Sequence, residues 1–298
     1  MIILTFCSEE GVKIPQYTYY CIKALRHYNP DMPIHFLARP NHGFEKVFKD
    51  LGVEWFDYSG YSTYEIEKFN ETCDLKKHGT PNTTYPSPPN FFYGAMARLF
   101  YIGAHVQKYE EGISEFYHLE NDVLVYYPFK KNINDSLDIM YPVMGNNLST
   151  FSIVKCKSVQ SWEVMLMYML KYIDMGEQKF CKTYGADMFN EMTAAYVFAC
   201  ETSFADDIND LLHQNYFFDP GSCGQYLGGT NNGHGPGWHG DHHYIGKEIM
   251  DGNVKIWIEN KKPMIEFKTE SGILWKMPLF NLHVHSKNLK DFIDVEAR

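Results

Sequence analysis

The chain has 298 residues, of which 45% are hydrophobic and 16% aromatic, so it holds enough apolar side chain for one large core or two smaller ones. Its 27 Lys and Arg residues stand against 37 Asp and Glu residues, which gives a formal net charge of −10. Nucleic-acid binding needs a track of positive side chains along the phosphates, and the sequence has no such Lys/Arg cluster. We therefore expect no nucleic-acid partner.

The start of the chain and its cysteines indicate the compartment. The apolar run "MIILTFC" is shorter than the core of a signal peptide and has no basic segment, and no stretch approaches the roughly 20 apolar residues that cross a bilayer. The seven cysteines are odd in number, scattered and without CxxC spacing, which favours free thiols. We expect a cytoplasmic protein with no transmembrane segment.

Strands and helices alternate in the first third of the chain. Residues 1–7, 32–39 and 52–59 are predicted strands, and the intervening segments 14–30 and 42–52 have the apolar spacing of helices. This alternation predicts βαβ crossovers and a parallel sheet with helices on both faces.

The remaining elements follow from the same patterns. We predict a loop over 61–90, a helix over 91–109, strands over 116–128, 136–145 and 149–156, helices over 158–174 and 186–201, a Gly-, Asn- and His-rich loop over 218–244, and strands over 254–259 and 263–268 before a final segment 280–289. The many glycines of 218–244 indicate special backbone angles, mobility or the close approach of a ligand. No change of composition marks a domain boundary, so a single domain over 1–298 is expected.

Two carboxylates, Glu120 and Asp122, stand in the otherwise apolar and aromatic segment "FYHLENDVLVYYP". If this segment is a strand, alternation puts both side chains on one face, where they repel each other unless a cation lies between them. Hard oxygen ligands suit Mg²⁺ or Mn²⁺, which commonly bind one or two carboxylates together with substrate phosphates. The alternative is an acidic pair that ends a strand in a solvated turn.

The same alternation applies near the C-terminus, in "NLHVHSK". His283 and His285 fall on one face together with Asn281, and Lys287 follows directly. Histidine binds metals through a neutral ring nitrogen, so one of the pair is a candidate ligand. Two structural histidines are the alternative.

The motifs "MARLFYIGA", "HLENDVLV", "ADMFN" and "NLHVHSK" occur in an order that resembles the GT-A glycosyltransferases, most of all their glycogenin-like branch. The stretch "FDPGSCGQYLGG" is similar to a bacterial and viral group of sugar transferases of the same fold. The resemblance implies an α/β fold, a Rossmann-like mixed sheet flanked by helices in one large domain. It further implies a nucleotide-sugar-binding half, 1–130, and a half that binds the acceptor and completes the metal site, 131–298.

By this resemblance Asp122 binds the metal, Mn²⁺ or Mg²⁺, and Glu120 contacts the metal, the donor's ribose, or both. Glu120 stands where the family usually has Asp. Either His283 or His285 completes the metal site. Contacts with the nucleotide-diphosphate sugar are implied for Thr5, Phe6, Asp57, Arg98, Asn121 and Lys287.

The motif "ADMFN" implies a role in sugar transfer for Asp187, which matches the second acidic position of the family's motif, while Asn190 matches its asparagine. Asp187 is then either the general base on the acceptor hydroxyl or a hydrogen-bond partner of the transferred sugar. The alternative is a helix N-cap. Whether the reaction inverts or retains the anomeric configuration stays open. Asn146 and Asn147 are further candidates for sugar contacts.

The implied activity is the metal-dependent transfer of a hexose or pentose from a nucleotide-diphosphate sugar to a hydroxyl of a glycan, glycolipid or glycoprotein acceptor. One alternative is a zinc-dependent hydrolase built on the His-rich loop 234–243, with His234, His239, Asp241, His242 and His243 as candidate ligands. Another is a non-catalytic module that binds sugar or nucleotide.

Overall fold

The computed structural model describes residues 1–7, 12–40, 43–73, 91–109, 113–129, 138–145, 148–209, 215–230, 233–238, 245–268, 272 and 274–294. The strands are β1 Ile2–Phe6, β2 Ile34–Ala38, β3 Val53–Phe56, β4 Phe116–Leu119, β5 Val123–Val125, β6 Ile139–Tyr141, β7 Val143–Gly145, β8 Leu148–Ser149, β9 Ile153–Cys156, β10 Ala205–Asp207, β11 Phe217–Phe218, β12 Val254–Glu259, β13 Lys262–Lys268 and β14 Leu274–His283. The helices are α1 Gln16–Tyr28, α2 Glu45–Asp50, α3 Tyr64–Thr72, α4 Phe91–Lys108, α5 Val159–Met175, α6 Glu177–Tyr184, α7 Glu191–Glu201, α8 Ser222–Gly228 and α9 Gly246–Met250.

A seven-stranded sheet in the order β10-β6-β9-β4-β1-β2-β3 forms the centre of the described structure. Its β3, β2, β1 and β4 strands are parallel, as the alternation of strands and helices predicts. β9 runs antiparallel to both β4 and β6, so the sheet is mixed. The mixed α/β fold that the family resemblance implies is therefore confirmed.

A second sheet lies beside the first and is built around β14. Its order is β11-β14-β13-β12, and β5 also pairs with β14. Because β4 belongs to the first sheet and β5 to the second, the residues between them, 120–122, lie where the chain passes from one sheet to the other.

Helices cover both faces of the main sheet, because its strands alternate between two apolar cores. In β1, Ile2 and Leu4 join the core that contains α1 and much of β14, whereas Ile3 joins the core of α3, α4, α5 and α7. Two-sided burial of parallel strands explains their near-continuous apolar sequence.

Several predicted elements are wrong. The predicted loop 218–244 contains α8, and the predicted strands 136–145 and 149–156 are each divided, because β7 and β8 form a small sheet of their own while β6 and β9 belong to the main sheet. Residues 61–90 are not a loop throughout, since α3 occupies Tyr64–Thr72 and is capped by Thr63, whose hydroxyl accepts a hydrogen bond from the Ile66 N–H. The Pro-, Thr- and Asn-rich residues 74–90, which dominate that prediction, lie outside the described part. The segment 116–128 is two strands rather than one, β4 and β5, with a turn between them.

Other expectations agree with the described residues. All seven cysteines are free thiols, as the odd number and scattered spacing predict. In the described part of the chain, no helix combines the length and apolar character that crossing a membrane requires.

Candidate metal centre

The acidic pair lies in a tight turn rather than in a strand. The Glu120 N–H donates to the Ser152 carbonyl at 3.3 Å, and the Val123 N–H donates to the Glu120 carbonyl, also at 3.3 Å. Strand alternation, which was the predicted reason for the proximity of Glu120 and Asp122, is therefore wrong. The two side chains meet because the turn between the sheets brings both carboxylates to one place.

The end of β14 adds a histidine to this turn. His283 lies opposite Val123 in the antiparallel pairing, and the Val284 N–H donates to the Asp122 carbonyl at 3.1 Å. His283 Nε2 is 3.3 Å from Asp122 Oδ2 and 3.4 Å from Glu120 Oε2. One ligand atom from each of the three residues lies within 4.8 Å of the other two. This is the one such His/Cys/Asp/Glu group found in the described residues.

Cationic side chains lie on either side of this group. Arg98 Nη1 is 2.6 Å from Glu120 Oε1, and its Nη2 is 3.5 Å from Glu191 Oε1. The Lys287 ammonium contacts Asp122 Oδ2, the same oxygen that His283 approaches. Acidic and basic groups thus alternate through the site in the order Glu191, Arg98, Glu120, His283, Asp122, Lys287.

This alternation sets the protonation of the centre. Burial acts to raise the pKa of Glu120, but Arg98 and His283 outweigh it and hold the pKa below its usual value. Burial likewise opposes ionisation of Asp122, yet Lys287 and His283 hold its pKa well below the usual range. Burial lowers the pKa of His283, and Asp122 and Glu120 raise it to a net value above the ordinary one. Both carboxylates are therefore ionised at neutral pH.

A buried carboxylate, Asp219, fixes the backbone behind His283. Its Oδ2 accepts the N–H groups of His283 and Gly224, each at 2.9 Å, and its Oδ1 accepts those of Gly221 at 2.8 Å and Cys223 at 2.9 Å. Burial raises the pKa of Asp219 above its usual value, although these N–H groups oppose the rise. Asp219 thereby joins the start of α8 to the end of β14.

Two glycines of the Gly-rich stretch allow this close packing. A Cβ at position 224 would lie 1.8 Å from the His283 carbonyl oxygen. Gly221 has a φ of +110°, and a Cβ there would lie 2.8 Å from His285 Nε2. The special backbone angle predicted for glycines in 218–244 is confirmed at Gly221. At Gly221 and Gly224 the close neighbour is the chain's own histidine segment, and the predicted approach of a ligand stays a prediction.

His285 stands next to the acidic group without being part of it. Its ring centroid is 4.3 Å from that of His283, and its Nδ1 is 3.5 Å from Gln225 Nε2. The strand ends at His283, so strict alternation does not extend to His285. Of the two histidines, His283 is the one within reach of both carboxylates.

The other donor-side candidates lie at the carboxyl ends of the parallel strands or in the acidic turn. Thr5 and Phe6 end β1, where Thr5 is buried and Phe6 partly buried, and Asn121 sits between the two carboxylates. Asp57 follows β3 and is exposed, and its Oδ1 accepts the Ser59 N–H at 2.9 Å. Asp57 thus caps a short 3₁₀ turn in the structure.

The structure places Asp187 on the surface, before α7, and outside the acidic group. The alternative reading of Asp187 as a helix N-cap is wrong, because α7 begins three residues later than predicted from that reading. Its cap is the buried Asn190, whose side chain accepts the Thr193 N–H at 2.9 Å while the Thr193 hydroxyl accepts the Asn190 N–H at 3.0 Å. Asn190 therefore has a structural role at the start of the helix that carries Glu191.

Sequence reasoning missed Glu191 and Asp219. Glu191 is the first residue of α7 and is 4% exposed, with burial raising its pKa while Arg98 lowers it. The sequence pattern that could have pointed to Glu191 is an Asn-Glu pair at the start of a helix. For Asp219 it is an Asp directly before the Pro-Gly-Ser start of a helix. Neither signal says that the carboxylate is buried beside a distant residue.

Some predicted residues lie outside the described part of the chain. These are Asn146 and Asn147, the candidates for sugar contacts, and His239, Asp241, His242 and His243 of the zinc hypothesis. Within the described part of loop 234–243, the ring of His234 stacks on Trp238 with centroids 4.0 Å apart.

The buried His118 next to Arg98 makes stability depend on pH. Burial and then Arg98 lower the pKa of His118 from 6.5 to about 3, and its Nδ1 lies 3.1 Å from the Ile3 carbonyl. The unfolded chain binds a proton near pH 6.5 and the folded chain does not, so the free energy of unfolding falls as pH drops through this range. Between pH 6.5 and 5 we expect the free energy of unfolding of His118→Gln to fall by about 1.5 kcal/mol less than that of wild type. Urea unfolding at both pH values measures this difference. An equal fall in both proteins would contradict the claim that His118 stays unprotonated in the folded chain.

Comparisons with known proteins give structural similarities only. No family model matches the sequence, and no curated protein matches it. Mouse xyloside xylosyltransferase 1 in its apo form superposes with a TM-score of 0.45 at 10% identity, over 69% of this chain and 83% of that one. The galactosyltransferase LgtC with donor and acceptor sugar analogs superposes with a TM-score of 0.36 at 13% identity, over 73% of this chain and 75% of that one.

A glycosyltransferase involved in glycosylation of the major capsid of PBCV-1 gives a TM-score of 0.37 at 10% identity, over 73% of this chain and 83% of that one. These matched structures are GT-A glycosyltransferases, the group that the sequence motifs resemble. At these identities the similarity describes the fold.

Proposed function

We propose that the protein is a metal-dependent glycosyltransferase that moves a sugar from a nucleotide-diphosphate sugar to a hydroxyl of an acceptor. The observation that carries the proposal is the convergence of Glu120, Asp122 and His283, with ligand atoms within 4.8 Å of one another. Glu120 and Asp122 are separated by about 160 positions from His283 along the chain. Arg98 and Lys287, cations suited to a diphosphate, flank the group.

The donor set fits a divalent cation. Two carboxylates supply hard oxygen ligands and His283 supplies an imidazole nitrogen, a combination that suits Mn²⁺ or Mg²⁺. His283 Nε2 faces the carboxylates, and its backbone is fixed by Asp219. Asp122 and His283 are the proposed ligands, and Glu120 is a third ligand or a partner of the donor's ribose. His285 then packs beside the ligand.

When bound, the cation would neutralise the charge that develops on the departing nucleoside diphosphate, an effect worth several kcal/mol. Arg98 and Lys287 add two positive groups for the diphosphate oxygens and so reconcile an acidic protein with an anionic donor. Thr5, Phe6, Asp57 and Asn121 are proposed to line the base and ribose pocket, in keeping with ligand binding beyond the carboxyl ends of parallel strands.

Acceptor recognition is assigned to the second half of the chain. We place the donor half at 1–130 and the acceptor half at 131–298, with Asp187 as the general base or a partner of the transferred sugar. Its exposure suits contact with an incoming acceptor, whether glycan, glycolipid or glycoprotein. The transferred sugar is proposed to be a hexose or a pentose. A cytoplasmic location stays a prediction.

An assay of donor cleavage tests the proposal. Purified protein is incubated with UDP-, GDP-, CMP- and dTDP-sugars and Mn²⁺, Mg²⁺ or Zn²⁺, and released nucleotide is measured with and without EDTA. We expect release from at least one diphosphate donor with Mn²⁺ or Mg²⁺, and loss of release in EDTA. No release from any donor, together with zinc binding that is lost on changing His239 and His242, would favour the hydrolase reading and overturn the proposal.

A further inference from the structure

We infer that Lys287 is an internal counter-cation, which a divalent metal has to displace from Asp122. The donor diphosphate then binds the released ammonium. Metal and diphosphate therefore bind cooperatively. This inference rests on the proposed function and adds a coupling between its two ligands.

The observation behind it is a shared oxygen. Lys287 Nζ contacts Asp122 Oδ2, and His283 Nε2 is 3.3 Å from the same atom. A cation held by Asp122 and His283 would lie between these groups, where it meets the ammonium. Two positive charges at one carboxylate oxygen repel each other, so metal binding and the Lys287 contact compete.

The chain brings Lys287 to this place by a specific turn. Its N–H donates to the Val284 carbonyl at 2.9 Å, directly after the end of β14, and its φ is +65°, in the left-handed region that non-glycine residues seldom adopt. Its ammonium also lies 5.7 Å from the centre of the Tyr17 ring. The backbone turn therefore holds Lys287 beside Asp122.

Exposure shows which partner can move. The Lys287 side chain is 34% exposed, whereas the Asp122 side chain is 8% exposed and lies in the turn between the sheets. A long, flexible lysine stem can swing out into water at small cost, but the carboxylate cannot follow it. Metal entry thus moves Lys287 and leaves Asp122 in place.

Charge explains why the diphosphate assists. Three carboxylates, Glu120, Asp122 and Glu191, face two permanent cations, Arg98 and Lys287. His283 has to give up any proton before it can bind a metal. With the imidazole neutral the group carries one negative charge, which a divalent metal turns into one positive charge. A diphosphate offsets that excess and supplies new oxygens for Lys287. Each ligand therefore favours the other, as linkage requires.

The test is the affinity for Mn²⁺ alone, measured from free Mn²⁺ by electron paramagnetic resonance. Lys287→Met keeps the length of the stem and removes the charge, and we expect it to bind Mn²⁺ about tenfold more tightly than wild type. Addition of UDP or GDP should raise the Mn²⁺ affinity of wild type more than that of the variant. Lys290→Met, the same change at an exposed position on the same segment, is the control and should alter the affinity less than about twofold.

The outcomes separate this inference from the proposed function. Equal or weaker Mn²⁺ binding by Lys287→Met, with binding by wild type, overturns the counter-cation role and leaves the metal site standing. No Mn²⁺ binding by either protein overturns both. If Lys287→Met does not fold, Lys287→Gln gives the same comparison with a polar side chain.

Discussion

Replacing Asp122 by asparagine is expected to lower metal-dependent donor cleavage by about 10³-fold or more, which corresponds to about 4 kcal/mol of transition-state stabilisation. The amide keeps the shape of the side chain but removes the negative charge that balances a cation. It also presents an N–H₂ group where His283 and Lys287 now approach an oxygen. The release of nucleoside diphosphate from the preferred donor measures the loss.

Asp122→Asn should fold normally. The backbone bond from the Val284 N–H to the Asp122 carbonyl does not involve the side chain, and the Lys287 ammonium can turn to water. Asp251→Asn is the matched control, because Asp251 is exposed and forms a surface ion pair with Lys247 in an i,i+4 contact. An Asp122→Asn protein that keeps its activity within tenfold, with the same metal requirement, would show that Asp122 does not bind the metal.

Replacing Asp219 by asparagine is expected to lower the free energy of unfolding by about 2–6 kcal/mol. The Asp219 carboxylate accepts four backbone N–H groups through two oxygens, in a site without solvent exposure. Asparagine offers one oxygen and one N–H₂ group, so two buried donors lose their acceptor, at about 1–3 kcal/mol each. Denaturant unfolding followed by circular dichroism measures the change.

The same substitution should also weaken metal binding, because the His283 backbone loses its link to α8. Asp251→Asn again serves as control, with an expected effect on stability below about 1 kcal/mol. If Asp219→Asn unfolds at the same denaturant concentration as wild type, the four hydrogen bonds do not stabilise this junction, and the positioning of His283 needs another explanation.

Much of the first sheet could be predicted because its signal is local. The β1 and β2 strands are short apolar runs that are buried on both faces, β3 is a partly buried edge strand, and helices with clear apolar spacing separate the three. α3 was missed because the predicted loop 61–90 joins it to the Pro-, Thr- and Asn-rich residues 74–90, which dominate the composition of that window. Such errors come from windows that average two different structures.

The acidic pair shows a different limit. Strand periodicity correctly predicts that the Glu120 and Asp122 side chains lie together, but the reason is wrong, because the apolar residues on the two sides of the pair belong to different sheets. A one-dimensional pattern does not distinguish a long strand from two strands joined by a turn across sheets. The pairing of Val123 with His283 decides where the acidic turn lies.

Glu191 and Asp219 could not be found from sequence, because their roles depend on contacts between distant segments. Glu191 resembles an ordinary first-turn acid, yet it is buried 3.5 Å from Arg98 of α4. Asp219 resembles a helix cap, yet it also accepts the N–H of a residue 64 positions away. The burial of a carboxylate and the identity of its partner are properties of the tertiary structure.

The most direct test of the metal centre is an anomalous difference map from crystals grown with Mn²⁺ and UDP or GDP, recorded at the manganese absorption edge. We expect a peak at bonding distance from the Asp122 carboxylate and His283 Nε2, with Lys287 no longer in contact with Asp122. A map with no peak at this site, or with the metal bound instead by histidines of loop 234–243, would contradict it.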